Sequence, residues 1–309
     1  MREESYPIAL AVADIHLSYK PPIARSAEPN WFDAMQRNLD QLKEKADELD
    51  VPILYAGDIF HTWREPAELI NFAIAHLPKG YAVPGQHDLP YHRLADIERS
   101  PYWTLAKAGV LHHVYNWTNV GELKATLCGF PFGVENVHSD LPEDDLNIAL
   151  VHGYCWKEGK QYPGAKDEDH AHSWFDRFPG FKTIIVGDNH LPFEELQGER
   201  QVLFNCGSFI RRNTDERNHK PRIGIIMSDG SVQSYYLDCS EDKFIDVHDQ
   251  NVLRDNSTRM SGLEFFIEGL GELNSGRIDF REAVETYMHQ QHISDEVQKV
   301  VLTALENQL

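Results

Sequence analysis

Apolar runs punctuate the first two thirds of the chain, and each one ends in a polar cluster. Ile8-Ala9-Leu10-Ala11-Val12-Ala13 runs into Asp14-Ile15-His16. The run from Val51 to Tyr55 leads into Gly57-Asp58-Ile59-Phe60-His61, and the shorter Tyr81-Ala82-Val83 into Pro84-Gly85-Gln86-His87-Asp88. Asn147 to Val151 ends in His152-Gly153, and Lys182 to Val186 in Gly187-Asp188-Asn189-His190. Continuous runs without alternation predict central strands covered on both faces. Between the first two, Trp31, Met35, Leu39, Leu42, Ala46 and Leu49 recur at helical spacing with charges between them. A strand, helix, strand unit of this kind predicts parallel strands joined by a right-handed crossover. The polar clusters then lie at carboxyl ends of strands, where open α/β sheets carry their sites.

The remaining pattern is weaker. Tyr19 to Asn30 reads as a loop with three prolines, and Glu65 to Leu77 as a helix with Pro66 in its first turn. Arg93 to Ala108 predicts helical segments broken around Ser100-Pro101, followed by strands near 113–117 and 125–130. Tyr154 to Phe178 has no sustained period and reads as a long loop over the site. Val202 to Ser208 predicts a strand, and 222–227 and 231–237 flank the hairpin turn Ser228-Asp229-Gly230. Beyond about residue 240 the character changes to three short amphipathic helical patterns. The expected division is therefore an α/β domain over 1–245 and a small helical cap or partner-binding region over 246–309.

Composition narrows the class. The 309 residues carry a formal net charge of −20, which argues against a protein that simply coats nucleic acid. A nuclease stays open, because bound cations neutralise site carboxylates and a partner can supply basic surface. No apolar run reaches the ~18 residues that span a membrane. Met1 to Ser5 leads straight into the first strand, so no signal peptide is expected. Cys128, Cys155, Cys206 and Cys239 are widely spaced and fit reduced, mostly buried thiols of a cytoplasmic protein.

Sixteen histidines direct attention to metal chemistry. In an extended segment Asp14 and His16 would point the same way and could share an ion. His170 and His172 have the same spacing but read as solvated loop residues. Packing gives no reason for a carboxylate, amide or imidazole at the end of strand after strand. Oxygen and nitrogen donors without thiolates suit Mn²⁺, Mg²⁺, Fe²⁺ or Zn²⁺. Seven or so donors are too many for one such ion; two ions sharing a bridging carboxylate fit better, about 3.5–4 Å apart.

The order D-x-H, G-D-x-x-H, G-Q-H-D, H-G, G-D-x-H resembles the signature of calcineurin-like metallophosphoesterases, over residues 8 to about 210. The resemblance implies a four-layer α/β/β/α sandwich with two mixed sheets. Within that superfamily the chain looks most like SbcD-type DNA exonucleases and their bacteriophage relatives. Carried over, the resemblance gives one cation Asp14, His16, Asp58 and His190, and the other Asp58, Gln86, His152 and Asp188. His87 would protonate the leaving oxygen, oriented by Asp88 or by a backbone group. His61 would contact the scissile phosphate or hydrogen-bond to a ligand. Arg211 and Arg212, in the one basic run, would contact the phosphate backbone or lie on a solvated loop. The implied partners are DNA, an SbcC-type ATPase and a second copy of the chain, in the host cytoplasm if the chain is phage-encoded. Two positions depart from the family: Gln86 stands for asparagine and Asp188 for the first histidine of G-H-x-H. Both keep a donor but harden the second position, which favours Mn²⁺ or Mg²⁺ over Zn²⁺. The competing expectations are a phosphoesterase of small nucleotides or phospho-esters, and a catalytically weak scaffold.

Overall fold

The computed structural model describes residues 5–120, 123, 125–134, 146–162, 164–198 and 201–245. The expected C-terminal helices over 246–309 lie outside the described residues. Two six-stranded sheets form the centre of the fold. The first contains β1 (Pro7–Val12), β2 (Ile53–Ala56), β3 (Gly80–Val83) and β4 (Leu111–His113), all parallel, with β11 (Arg222–Met227) and β12 (Val232–Tyr236) antiparallel beyond β1. The second has the order β5 (Asn116–Val120), β6 (Ala125–Phe130), β7 (Leu146–His152), β8 (Thr183–Gly187), β10 (Gln201–Asn205), β9 (Phe193–Gln197). Its central four strands are parallel and both of its edges antiparallel.

The alternation of β1 explains the layering. Leu10 and Val12 pack with Met35, Leu39 and Leu42 of α1 (Trp31–Leu49) and with Leu69 and Ala73 of α2 (Ala67–His76). Ala9, Ala11 and Ala13 face the other way and pack with Leu127, Ile148, Leu150 and Ile185 of the second sheet. Small side chains on that face let the sheets approach, while the larger ones anchor the helices. Each buried Leu or Met of α1 contributes about 1.5–3 kcal/mol through removal of apolar surface from water. Asn30 caps α1 by accepting from the Phe32 N–H at 3.0 Å, and Asp50 ends it in the left-handed conformation.

The outer face of the second sheet is covered by α4 (Ala171–Arg177), whose Trp174 and Phe175 pack with Phe130, Phe181 and Leu203. The four layers α/β/β/α are thus present. This helix corrects the expectation of a continuous loop over 154–178. Ala171, Trp174, Phe175 and Phe178 do follow helical spacing, but seven residues among charged neighbours carry too few periods to stand out. A second correction concerns 113–117, which is not one strand. The chain leaves the first sheet at His113, crosses at Val114-Tyr115 and enters the second at Asn116. The broken helical stretch is as expected, with a 3-10 turn over Leu94–Arg99 and α3 (Pro101–Lys107) capped by Ser100.

Ala11 is fully buried between the sheets. Ala11→Leu is expected to lower the free energy of unfolding by about 1–3 kcal/mol through overpacking, read as a lower urea midpoint at unchanged m-value.

Candidate metal centre

β1, β2 and β3 end side by side with β7 and β8 opposite, so five loops converge at one edge of the sandwich. They bring Asp14, His16, Asp58, Gln86, His152 and Asp188 together, all buried, with the half-buried His190 beside them. The backbone turns sharply to do so. Asp14, His16, Asp58 and Asp188 all have positive φ, at 53°, 50°, 52° and 96°. The expected i, i+2 alignment of Asp14 and His16 therefore does not arise from an extended segment: β1 stops at Val12, and a left-handed turn delivers both side chains. Two glycines are required by close approach. A Cβ on Gly57, itself at φ +93°, would meet His152 Nδ1 at 2.1 Å, and one on Gly85 would meet Asp58 Oδ1 at the same distance.

Asp58 sits at the centre. Its Oδ1 accepts from the His87 backbone N–H at 2.9 Å. Its Oδ2 has no hydrogen-bond partner, yet lies 3.7 Å from His16 Nε2, 3.5 Å from His152 Nε2 and 4.0 Å from His87 Nε2. On one side His16 Nε2 and His190 Nε2 face each other at 3.1 Å, with Asp14 within reach of both. On the other, His152 Nε2 meets Gln86 Oε1 at 2.7 Å, and Gln86 Nε2 donates to Asp188 Oδ1 at 2.6 Å. Asp188 Oδ2, like Asp58 Oδ2, is buried without a partner. Oxygen and imidazole donors that converge with unsatisfied atoms between them fit a pair of divalent cations, one on each side of Asp58.

Electrostatics favours the same fit. Burial pushes the Asp14 carboxyl up to about 7, against the pull of His190 and His152. Burial likewise raises Asp188. Burial opposes ionisation of Asp58 too, but the neighbouring His152 and His87 outweigh it and hold the carboxyl below its usual range. The reciprocal effect on His152 overcomes its own desolvation and lifts it to about 10, largely through Asp58. Its Nδ1 donates to the Ala56 carbonyl at 2.6 Å, so the proton facing Asp58 and Gln86 is the one on Nε2. Without a cation that proton is the local counter-charge. His16 and His61 are pushed well below the ordinary imidazole range by burial and by neighbouring cationic groups, so both are neutral donors.

The remaining expected residues divide by location. His61 and His87 lie beside the carboxylates with rings stacked at 5.6 Å, and both stand edge-on to His16. His87 Nδ1 meets the His61 carbonyl at 2.7 Å, which turns Nε2 toward Asp58. Of the two orienting groups expected for His87, the backbone one is used. Asp88 accepts instead from the backbone N–H groups of Ile59, Phe60 and Gly85, at 3.2, 3.0 and 3.0 Å, and clamps the β2 and β3 loops together. Arg212 reaches the centre through backbone: it donates to the His16 carbonyl at 2.9 Å and to Ser18 Oγ at 3.0 Å. Arg211 is not brought to the centre. It donates to Asp242 and to the Cys239 and Arg217 carbonyls, and its guanidinium lies over the Phe244 ring. His170 and His172 stay apart from the centre, with His170 paired to Glu158 at 3.0 Å.

Sequence reasoning missed two supporting residues. Glu216 places a largely buried carboxylate, 12% exposed, 3.9 Å from His190 Nδ1 and is held by Ser208 Oγ and the N–H groups of Arg212 and Asn213. Its partners hold it ionised despite burial. A carboxylate behind an imidazole raises the basicity of the opposite ring nitrogen. Tyr162, in the segment over the site, accepts from the His190 N–H at 3.2 Å. Neither has a spacing relation to His190 that the sequence could reveal.

A strand-end cradle of this kind, with a central carboxylate among oxygen and imidazole donors, forms a candidate metal centre. The sequence pattern of the calcineurin-like phosphoesterase family matches residues 9–192, and the chain belongs to that family. It is a metal-dependent phosphoester hydrolase by that membership. Similar solved structures include the calcineurin-like phosphoesterase YfkN of Bacillus subtilis (12% identity, 83% of this chain and 98% of that one, TM-score 0.44). They also include the NAD nucleotidase NadN of Haemophilus influenzae (12% identity, 84% and 57%, TM-score 0.43). A third is a 5'-nucleotidase precursor of Thermus thermophilus (11% identity, 83% and 59%, TM-score 0.42). The chain spans under two thirds of both nucleotidase chains. A comparison with curated proteins finds no match. Among the described residues, no helix is long and apolar enough to cross a membrane.

These protonation states set the response to pH. Asp14 carries a folded-state pKa of about 7 against an ordinary value of 3.8, so its contribution to stability is lost as pH rises from about 4 to about 7. His152, raised to about 10 from 6.5, contributes stability that is fully present below 6.5 and lost as pH rises through 10. A cation replaces both protons. Added Mn²⁺ is therefore expected to raise the thermal midpoint more at pH 8 than at pH 6, with EDTA abolishing the difference. A shift that is equal at the two pH values, or larger at pH 6, would contradict these assignments.

Proposed function

We propose that the chain is a two-metal phosphodiesterase that cleaves DNA, acting as an exo- or endonuclease of the SbcD type. The supporting observation is His87. Its Nε2 is turned toward Asp58 by the Nδ1 contact with the His61 carbonyl, and its side chain is 21% exposed. An imidazole that is both fixed and reachable suits delivery of a proton to a sugar oxygen, a poor leaving group until protonated. Asp14, His16, Asp58 and His190 would hold one divalent ion, and Asp58, Gln86, His152 and Asp188 the other. Such ions supply a nucleophile from water at neutral pH and neutralise charge on the phosphoryl oxygens. The chain's own groups do the rest. Asp58 sets the spacing between the two donor sets, and Glu216 steadies His190. Asp88 keeps the His61 and His87 loops in register, and His61 supports the ring of His87 beside the phosphate. The oxygen donors of Asp188 and Gln86 favour Mn²⁺ for the second position. An SbcC-type ATPase and a second copy of the chain are the partners this reading implies.

A small nucleotide or phospho-ester substrate is the second reading. Two observations favour it: the net charge of −20, and the commitment of Arg211 to Asp242 and to backbone carbonyls. One assay separates the readings. The protein with Mn²⁺ is offered labelled single- and double-stranded DNA and bis-p-nitrophenyl phosphate. His87→Ala is expected to slow DNA cleavage about 10²–10⁴-fold at unchanged metal content. It should slow the nitrophenyl ester far less, because nitrophenolate departs without a proton. Turnover of the ester with DNA untouched would support the small-substrate reading; equal losses on both substrates would remove His87 as the acid.

A further inference from the structure

The two loops that carry the histidine pair also carry an aromatic pair that the chemistry above does not use, an exposed Tyr91 against a half-buried Trp63. Trp63 and Tyr91 meet with ring centroids 5.1 Å apart and planes tilted by 53°, and the Arg64 guanidinium lies 4.4 Å over the Trp63 ring. Trp63 follows His61 by two residues and Tyr91 follows His87 by four, so the pair rides on the same two loops. Two residues of extended chain span at most about 7 Å, close to the spacing of neighbouring units in a stretched nucleic-acid strand. Asp88 ties the two loops together near their starts through the backbone N–H groups of Ile59, Phe60 and Gly85.

Tyr91 occupies a costly position. Its φ is 54° and that of His92 is 57°, two successive non-glycine residues in the left-handed region. Buried Leu89 and Pro90 and the bonds from His92 N to the Leu89 carbonyl and Arg93 N to the Pro90 carbonyl hold the turn. Burial does not repay the strain at Tyr91, whose side chain stays 56% exposed. Strain maintained to present a solvent-facing ring on the loop that carries His87 points to a ligand. The open ring is that of Tyr91, braced by Trp63, which Arg64 covers on one face; an exposed ring held this way suits stacking by a flat partner, and every nucleobase has a π-face.

We propose that Trp63 and Tyr91, flanked by Arg64, stack one unpaired nucleobase next to the phosphate held over the two donor sets. The proposal rests on a nucleotidyl substrate for the centre and adds how its base is gripped. The base can belong to a DNA strand or to a free nucleotide, and the test separates these sources.

Binding is read by fluorescence anisotropy with the full chain carrying His87→Ala, so that substrate survives. The probes are a labelled single-stranded oligonucleotide and the same oligonucleotide with abasic residues. The base-bearing strand is expected to bind about tenfold tighter. Trp63→Ala and Tyr91→Ala should each reduce that preference to within about twofold, and Trp63→Phe should retain it. Displacement by thymidine 5'-monophosphate but not by deoxyribose 5-phosphate, lost in Trp63→Ala, supports the platform even if the unmutated chain leaves DNA uncut. In that case the nuclease reading fails and the platform stands, with a free nucleotide as its source. A preference that survives Trp63→Ala and Tyr91→Ala, or is absent from the parent, overturns the platform whatever the chain does to DNA.

Discussion

Four carboxylates, those of Asp14, Asp58, Asp88 and Asp188, are buried at one edge of this fold, and most of the architecture around them answers their charge. A buried ionised carboxylate is costly unless paired or hydrogen-bonded. Asp88 is satisfied by three backbone N–H groups and is a structural brace. Asp14 takes the Asp188 N–H with both oxygens, at 3.0 and 3.2 Å. Asp58 and Asp188 each keep one oxygen with no hydrogen-bond partner. In the absence of a cation the balance falls on His152, which holds a proton up to about 10. Such a centre is stable as a cation receptor and frustrated as a packed core. The same logic accounts for the left-handed backbone at Asp14, His16, Asp58 and Asp188, since regular strands could not turn four side chains onto one point.

The fold was legible where side chains repeat a simple period. β1, β2, β7 and β8 are continuous apolar runs because both faces of their sheets are covered, and α1 shows its stripe over five turns. α4 and the strand pair at 111–120 were hidden for the opposite reason: each is too short for periodicity to exceed its neighbours. The donors of the centre were legible because every one stands at a strand terminus. The residues read from the sequence as donors lie together in the structure, and His61 and His87, read for other roles, gather with His16 in the same way. The reason offered for Asp14 and His16, strand alternation, was mistaken: their convergence comes from turn geometry that no spacing rule encodes. Glu216 and Tyr162 were invisible, because each meets His190 only after the chain has folded back.

The basic run after β10 shows how sequence proximity can mislead. Arg211, Arg212 and Arg217 lie within seven residues, yet they serve different tasks. Arg212 turns inward and steadies the D-x-H turn. Arg211 and Arg217 turn outward onto Phe244, whose ring also faces Arg25, at 5.2, 5.5 and 5.0 Å. Arg25 is itself buried and paired with Glu28 at 2.5 Å and Asp242 at 2.7 Å. The segment 239–245 is thereby fastened across the start of α1 and the 211–217 loop. These arginines hold the segment 239–245 in place, and a buried ion network of this kind is sensitive to loss of any one partner.

That arrangement constrains how an acidic chain can hold an anionic substrate. With net charge −20 and Arg211 tied into structure, long-range attraction of a phosphate backbone is weak or repulsive. Local attraction has to come from the cation centre itself, whose donor set includes up to three carboxylates in Asp14, Asp58 and Asp188. Two divalent ions held as proposed would add a charge of +4, more than those carboxylates cancel, so the loaded centre would present positive charge only over a short distance, about a Debye length at physiological salt. A substrate bound mainly at one phosphate is poorly oriented, since a single charge contact fixes position and not direction. A second contact of a different kind, made to something other than phosphate, is then the economical way to set the bond in line with His87. The aromatic pair carried on the His61 and His87 loops, as proposed above, would meet that requirement with a single added arginine, Arg64.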